Sequence, residues 1–411
     1  MFLERRSTLK GCVAASVAVV LPASAVEEEL KSVSWSATDG FDSDFPSQID
    51  FIEFDEKAYK AMRDDPRRTP KFAKAMKKRI KELGEDAVIL DLGTGPFCVL
   101  ALIAAEYGAK KVYAVEANAE VARRAKLLIN ECERLYAAGS NSRNQNGAIP
   151  LAPGRIEVIE GFSTVIDLPE KADLCVFEIC GSLASEEGLI ATMTDAKKRH
   201  LKFPDAPESY IPQRCQTYAA PVSYALQNLL TPPSYDWSKL GATPIRFNCR
   251  DEALQLLAKP QLLEDIAFAD NLPSKFPASL SKKNTFQIDD DVIATSEANY
   301  LKAFSDQRQL QSLLIDSNNK PMAPGPVAND IASKFSGMAF WPTLILDDTT
   351  QVISRGTNGE AQKSHWQTVL QLMVDTPKTV TPGGVINIDF DSSFSSDVTK
   401  ATTYSLKGSI K

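Results

Sequence analysis

The sequence predicts a two-part α/β protein: a Rossmann-like, doubly wound parallel sheet over residues 49–212, followed by a β-rich unit over 213–411. Apolar strands alternate with helical stretches between residues 88 and 179, and the first strand runs into a glycine turn. Beyond Ile211-Pro212 prolines multiply and two-residue alternation replaces helical periodicity. With 411 residues, 44% of them apolar and 24% charged, the chain has room for two or three ordinary globular domains.

Each element follows from its pattern. Tyr59, Met62, Phe72, Met76 and Ile80 recur at three- and four-residue steps and read as helix. VILDLGTG (88–95) is a buried strand entering a turn, Cys98–Tyr107 a helix and KVYAVEA (111–117) a second strand, which together make a βαβ unit. A helix over Glu120–Ala137, a polar loop over 138–154 and strands at 155–161 and 173–179 continue the alternation. Farther on, TPIRFNC (243–249), PTLILDD (342–348) and VINIDFD (385–391) alternate as strands, whereas Glu252–Leu257 and Glu297–Gln311 read as helical.

Residues 1–25 have the grammar of a targeting leader: Arg5-Arg6, an apolar run from Gly11, and small residues at Ala23 and Ala25. Its start is twin-arginine-like, and the run is too short to span a bilayer, so the mature chain is expected to carry no membrane span. Organelle import of a plastid-like kind, or residence in the cytoplasm, are the expected locations. Residues 26–48, acidic and serine-rich, read as linker.

A net charge of −7 disfavours a protein that grips nucleic-acid phosphates and suits a basic partner. Seven scattered cysteines and two histidines, without CxxC or Cys/His spacing, indicate neither a disulfide framework nor a metal site.

The turn Asp91-Leu-Gly-Thr-Gly-Pro-Phe97 follows a strand and opens a helix, so Gly93 and Gly95 allow a ligand close to the backbone. Pro96 lacks an N–H, and the third glycine of a dinucleotide fingerprint is missing after Phe97, which disfavours a pyrophosphate. Glu116, 21 residues after Gly95, ends the next strand and can accept hydrogen bonds from a ribose diol. S-adenosyl-L-methionine, a nucleoside with an amino-acid tail and no phosphate, fits these features. Glu178 and Glu187 lie nine residues apart on the loop after the next strand, over the ligand crevice. Two carboxylates meeting there need a cation between them, and a planar guanidinium matches them best.

On these motifs the chain resembles the protein arginine methyltransferases, class I S-adenosylmethionine-dependent enzymes, with a lean towards a divergent subgroup. Similarity is continuous from about Tyr59 to Tyr218. The resemblance places Arg68, in Met62-Arg-Asp-Asp-Pro-Arg-Arg-Thr69, on the cofactor's carboxylate, and LDLGTG (90–95) with Asp91 at the cofactor turn. It places Glu116 on the ribose, Ser163 and Thr164 near the adenine, and FEICGSLASEEG at the double-glutamate loop, with Glu186 as a neighbouring spare. Ser364-His365-Trp366 resembles the loop that a β-barrel domain extends over the active site. It implies a β-barrel-like second domain for substrate and dimerisation, an arginine-containing protein or peptide as partner, and a possible homodimer.

Glu178, Glu187 and His365 are the candidate catalytic residues, His365 as proton carrier or as a lock on a helix. Met62, Cys180 and Trp366 are the candidate substrate contacts. Pro96 and Phe97 make the cofactor turn unusual for the family; Ile179 and Cys180 alter the pocket and keep a small-molecule N- or O-methyltransferase as an alternative, and a non-catalytic scaffold whose acidic loop recognises arginine is another. His200 is expected at the surface or as a helix cap, with the KKRH run (197–200) a solvated face.

Overall fold

The computed structural model describes residues 27–39, 56–145, 147–248, 251–316, 318, 320–356, 358–362 and 364–411. The expected leader and the 40–48 part of the expected linker lie outside them.

The chain enters through two short strands, β1 (Glu28–Glu29) and β2 (Val33–Ser36), and then forms helices α1 (Glu56–Arg63) and α2 (Thr69–Leu83). The parallel sheet is built from β3 (Val88–Leu92), β4 (Lys111–Glu116), β5 (Ile156–Glu160), β6 (Leu174–Phe177) and β7 (Tyr210–Ile211). Helices α3 (Val99–Glu106), α4 (Ala119–Ala137) and α5 (Leu189–Arg199) alternate with them. The order β5-β4-β3-β6-β7 is parallel throughout. Chain order therefore reverses at β3, and the crevice between the carboxyl ends of β3 and β6 is where such sheets bind ligands.

Local chemistry explains these elements. All five residues of β3 are buried, as a strand covered on both faces requires. Helix α2 has Pro70 in its first turn, buries Phe72, Ala75, Met76 and Ile80 on one face, and ends at Gly84 with φ +82°. Helix α4 starts at Asn118, whose side chain accepts the Val121 N–H.

The remainder comprises β8 (Arg214–Tyr224), α6 (Ala225–Leu229), β9 (Ile245–Asn248), β10 (Leu254–Leu256), β11 (Gln261–Ala267) and β12 (Ala278–Gln287). Helices α7 (Asp290–Asp306), α8 (Arg308–Gln311) and α9 (Pro324–Ala332) come next. Strands β13 (Lys334–Phe335), β14 (Gly337–Asp347), β15 (Thr350–Ile353), β16 (Gln367–Leu372), β17 (Lys378–Thr379), β18 (Val385–Phe394) and β19 (Thr403–Ile410) close the chain. One antiparallel sheet has the order β10-β8-β14-β16-β9, with β11 and β15 on β8 and β14. The other has the order β1-β19-β18-β12, with β2 on β19. The two face each other across Phe340, Phe390, Tyr404 and Leu406, a β-barrel-like unit after the Rossmann-like one.

Two expectations are corrected here. Residues 28–36 are strands of the second sheet, because Leu30, Val33 and Trp35 alternate inward and are buried in its core; the Trp35 ring stacks on Tyr404 at 5.4 Å. Leu254–Leu256, inside the stretch read as helical, is a strand antiparallel to β8. Helices α7 to α9 pack instead on the outer end of that sheet, with Tyr300 donating to the Ser223 carbonyl at 2.8 Å.

Candidate active site

The site forms where the turn after β3, the loop after β6, the α1–α2 junction and the loop before β16 meet. Gly93 and Gly95 have φ of +71° and +65°, values that disfavour any residue with a Cβ. A Cβ on Gly93 would also stand 2.7 Å from Cγ2 of Ile179, and one on Gly95 would stand 3.6 Å from Cε1 of Tyr59 on α1. Phe97 carries the Arg63 guanidinium over its ring at 4.7 Å, which docks α1 onto the turn.

Glu116 is buried at the end of β4. Its Oε2 accepts the Gly95 N–H and its Oε1 the Asn118 N–H, both at 3.0 Å. Burial raises its pKa, and the backbone donors oppose the rise. Each oxygen keeps a lone pair for a diol. Asp91, by contrast, is turned inward. One oxygen accepts from Thr94 Oγ1 (2.6 Å) and the Ala101 N–H (3.0 Å), the other is buried without a partner, and burial pushes the pKa up to about 7. It braces the turn rather than facing a ligand, which corrects its expected role as a cofactor contact.

Arg68 and Glu178 form a buried pair: Nε and Nη2 reach Oε2 at 2.9 and 2.7 Å, and Nη1 donates to the Met62 carbonyl at 3.2 Å. Burial alone would raise the Glu178 pKa, but the Arg68 charge and the neighbouring His365 ring hold it at about 2. Glu178 Oε1 accepts the Cys180 N–H at a longer 3.4 Å. His365 is gripped by Asp65, which accepts from its ring Nδ1 at 2.9 Å and its backbone N–H at 3.2 Å. The other ring nitrogen, Nε2, lies 3.7 Å from Glu178 Oε2. Burial works against ionisation of Asp65, yet its bonds to His365 and the Arg67 N–H bring its pKa down to about 2.

Glu187 differs. No hydrogen-bond donor among the described residues reaches its carboxylate, and its pKa lies well above the ordinary value because of burial and the charges of Glu178 and Glu186. Arg68 and Arg246 only partly offset them. The loop thus presents one carboxylate neutralised by the protein's own arginine and one that lacks a cation.

The other sequence candidates are distributed around this pair. Trp366 stacks against His365 at 3.8 Å and donates its Nε1–H to the Cys180 carbonyl at 2.7 Å, so it clamps the acidic loop to the core. The Cys180 thiol is buried against that of Cys215, and both burial and that neighbour push its pKa up. Only the Cys180 backbone takes part in the site, which corrects its expected substrate contact. Met62, half-buried, contributes its carbonyl to Arg68 and Thr69.

Ser163 is buried, Thr164 is partly so, and the Ser163 carbonyl accepts from Arg199 Nη2 at 2.6 Å and bonds His200 Nε2 at 2.9 Å. His200 is indeed the C-cap residue of α5, but it is buried, and Arg199 binds Asp195, Asp167 and the Ile166 carbonyl. Residues 199 and 200 pin the loop near the expected adenine site and are not a solvated face. Glu186, expected as a spare, is buried and paired with Arg246.

Asp65, Tyr59 and Arg246 were not singled out by the sequence. Asp65 left one trace, an Asp-Asp-Pro run interrupting two helical stretches; Arg246 sits in an ordinary alternating strand.

The site has groups that suit S-adenosyl-L-methionine: a glycine turn at Gly93 and Gly95, an acceptor carboxylate one strand over at Glu116, and the Arg68 guanidinium at the α1–α2 junction. Among the described residues no group of three or more His, Cys, Asp or Glu is placed to hold a metal ion, and no helix is long and apolar enough to cross a membrane.

No protein-family model matches the chain. Probable histone-arginine methyltransferase CARM1 of Oryza sativa subsp. indica is 37% identical over 117 residues, 28% of this chain and 19% of that protein. Probable histone-arginine methyltransferase 1.4 of Arabidopsis thaliana is 40% identical over 114 residues, 28% and 18% respectively. Protein arginine N-methyltransferase 6 of Danio rerio is 31% identical over 183 residues, 43% and 45%. The chain thus spans less than half the length of these relatives. In three dimensions it resembles the Trypanosoma brucei PRMT1 enzyme-prozyme heterotetrameric complex with AdoHcy, with a TM-score of 0.56 and 15% identity over 88% of this chain and 100% of that one. It also resembles Arabidopsis thaliana protein arginine methyltransferase 10 in an open conformation, with a TM-score of 0.52 and 16% identity over 88% and 99%.

Proposed function

We propose that this chain, a divergent relative of the protein arginine methyltransferases, transfers a methyl group to a guanidino nitrogen of arginine in a protein or peptide. The observation that carries this reading is the inequality of the two loop carboxylates: Glu178 is bonded to its cation, and Glu187, alongside it, is bonded to none among the described residues. A planar cation bridging Glu178 Oε1 and Glu187 would relieve the repulsion between them and favour the charged form of Glu187.

S-adenosyl-L-methionine, held by Gly93, Gly95, Glu116 and Arg68, supplies an electrophilic methyl group on a positively charged sulfur. The remaining tasks fall to the chain. A guanidinium is a poor nucleophile because its lone pairs are delocalised. Glu178 and Glu187 draw its positive charge onto the nitrogens they bond and leave electron density on the third, which they also orient for in-line attack. Asp65 fixes the His365 ring, so that Nε2 faces Glu178 and is placed to receive the proton lost from the methylated nitrogen. Trp366 keeps the acidic loop seated while this happens.

A small-molecule acceptor has its motive in the altered pocket at Ile179 and Cys180, Ile179 lying so close to the turn that a Cβ on Gly93 would stand 2.7 Å from its Cγ2. Transfer of tritium from labelled cofactor to an arginine-rich protein, followed by amino-acid analysis, decides between them. Label in methylarginine supports the proposal; label in metabolites alone, or in none of these acceptors, rejects it. Pairing of two copies through the β-barrel-like unit belongs to the same proposal, and sedimentation equilibrium tests it. So does import into an organelle, or residence in the cytoplasm, and a processed or intact amino terminus in the native protein separates the two.

A further inference from the structure

Arg246 lies on β9, outside the cleft between Glu178 and Glu187, yet it is bound to the loop that carries Glu187. Its Nη2 lies 2.7 Å from Glu186 Oε1 and its Nη1 3.4 Å from Oε2, and the two side chains are only 3% and 6% exposed. Glu186 in turn closes the loop on itself, accepting the N–H groups of Ser182 at 2.8 Å and Leu183 at 3.2 Å. The fit is tight: a Cβ on Gly181 would stand 2.5 Å from the Cβ of Glu186. The same Nη2 of Arg246 also donates to the Ala37 carbonyl (3.0 Å) and its Nε to the Asp39 carbonyl (3.3 Å), directly after β2. Thr402 completes the connection, its hydroxyl donating to the Ser185 carbonyl and its carbonyl accepting the Ala37 N–H, both at 2.8 Å.

A buried ion pair is weak evidence for stability, since desolvation of the two charges offsets their attraction. Here it has another consequence. Glu186 adjoins Glu187 in the chain, and without a counterion it would be a second like charge beside a carboxylate that already faces Glu178. We propose that Arg246 is a positioning residue: through its pair with Glu186 it sets the place and the charge of Glu187, and it couples that carboxylate to the N-terminal strand β2. The proposal rests on the reading of Glu187 as the carboxylate that receives the acceptor cation.

The groups facing Glu187 are Glu178 at the end of β6, Glu186 and Cys180 on its own loop, Arg68 before α2, and Arg246 on β9. Glu186 pushes the Glu187 titration up and Arg246 draws it down, so removing one or the other has opposite effects. A purely structural brace would not give opposite signs.

The test is a carbon-13 titration of the full-length chain labelled at glutamate Cδ, with Glu187 assigned by its loss in Glu187→Gln. Arg246→Met is expected to move the Glu187 midpoint up and Glu186→Gln to move it down, each by about one pH unit. The double variant, which leaves no single buried charge and so guards against misfolding, is expected near the wild type. Calorimetry with S-adenosylhomocysteine should give dissociation constants within about threefold of wild type for all three, because the cofactor groups are untouched. Midpoints that stay fixed, or move the same way in both single variants, overturn the proposal. Opposite shifts in a protein that methylates no arginine would uphold the positioning role and reject the proposed acceptor; methylation with unmoved midpoints would do the reverse.

Discussion

A partly buried carboxylate beside two others, with no cation bonded to it among the described residues, is disfavoured in its charged form, and Glu187 is in that position. Because the proposed acceptor guanidinium needs it charged, kcat/KM is expected to rise with pH through the raised Glu187 pKa of the free protein, and a pH–rate profile will show one ionisation there. Glu187→Gln should abolish that limb and lower kcat by about 100-fold or more while S-adenosylhomocysteine still binds, which calorimetry checks. Glu178 titrates in the opposite sense. Its folded pKa is depressed to about 2, so its stabilising pair with Arg68 is complete above the ordinary carboxylate range and is lost as pH falls through that value. Acid unfolding of wild type and Glu178→Gln should therefore differ at pH 6 and converge towards pH 2. At this scale the sequence was legible where a residue type has few structural uses. Paired glutamates after a strand have few structural uses, whereas Asp91 lies in the glycine turn and faces inward, because nothing in LDLGTG distinguishes a brace from a ligand.

At the scale of elements, strand and helix periodicity located the parallel sheet to within a residue or two at β3, β4 and β5. These strands are buried runs bounded by turn residues, the strongest short-range signal available. The N-terminal strands were missed for a physical reason: their partner is β19, more than 350 residues away, so no local pattern records the pairing. Composition alone, acidic and serine-rich, pointed to a linker. The core disagrees: Trp35, only 3% exposed, packs on Tyr404 and Phe340. Trp35→Ala is accordingly expected to cost about 3–5 kcal/mol in denaturant unfolding. A change below about 1 kcal/mol would mean that β2 is dispensable to the barrel-like unit. Leu254–Leu256 was misread because a three-residue strand is too short to show a period.

Across the whole molecule, the two units are joined where the chemistry is expected. Trp366, at the start of β16, belongs to the core of the parallel sheet, and His365 beside it reaches back to Asp65 at the α1–α2 junction. The barrel-like unit thereby supplies parts of the site that the Rossmann-like unit lacks. Net charge of −7 gives long-range attraction for an arginine-rich acceptor, so its KM should rise with ionic strength while kcat changes little. Steady-state assays between about 50 and 300 mM salt will show this. The most direct test of the whole account is a crystal structure of the chain with S-adenosylhomocysteine and an arginine-containing peptide. The account requires the peptide's guanidinium between Glu178 and Glu187, with its third nitrogen directed at the cofactor's sulfur. A guanidinium bound elsewhere, with Glu187 turned away from it, would contradict it.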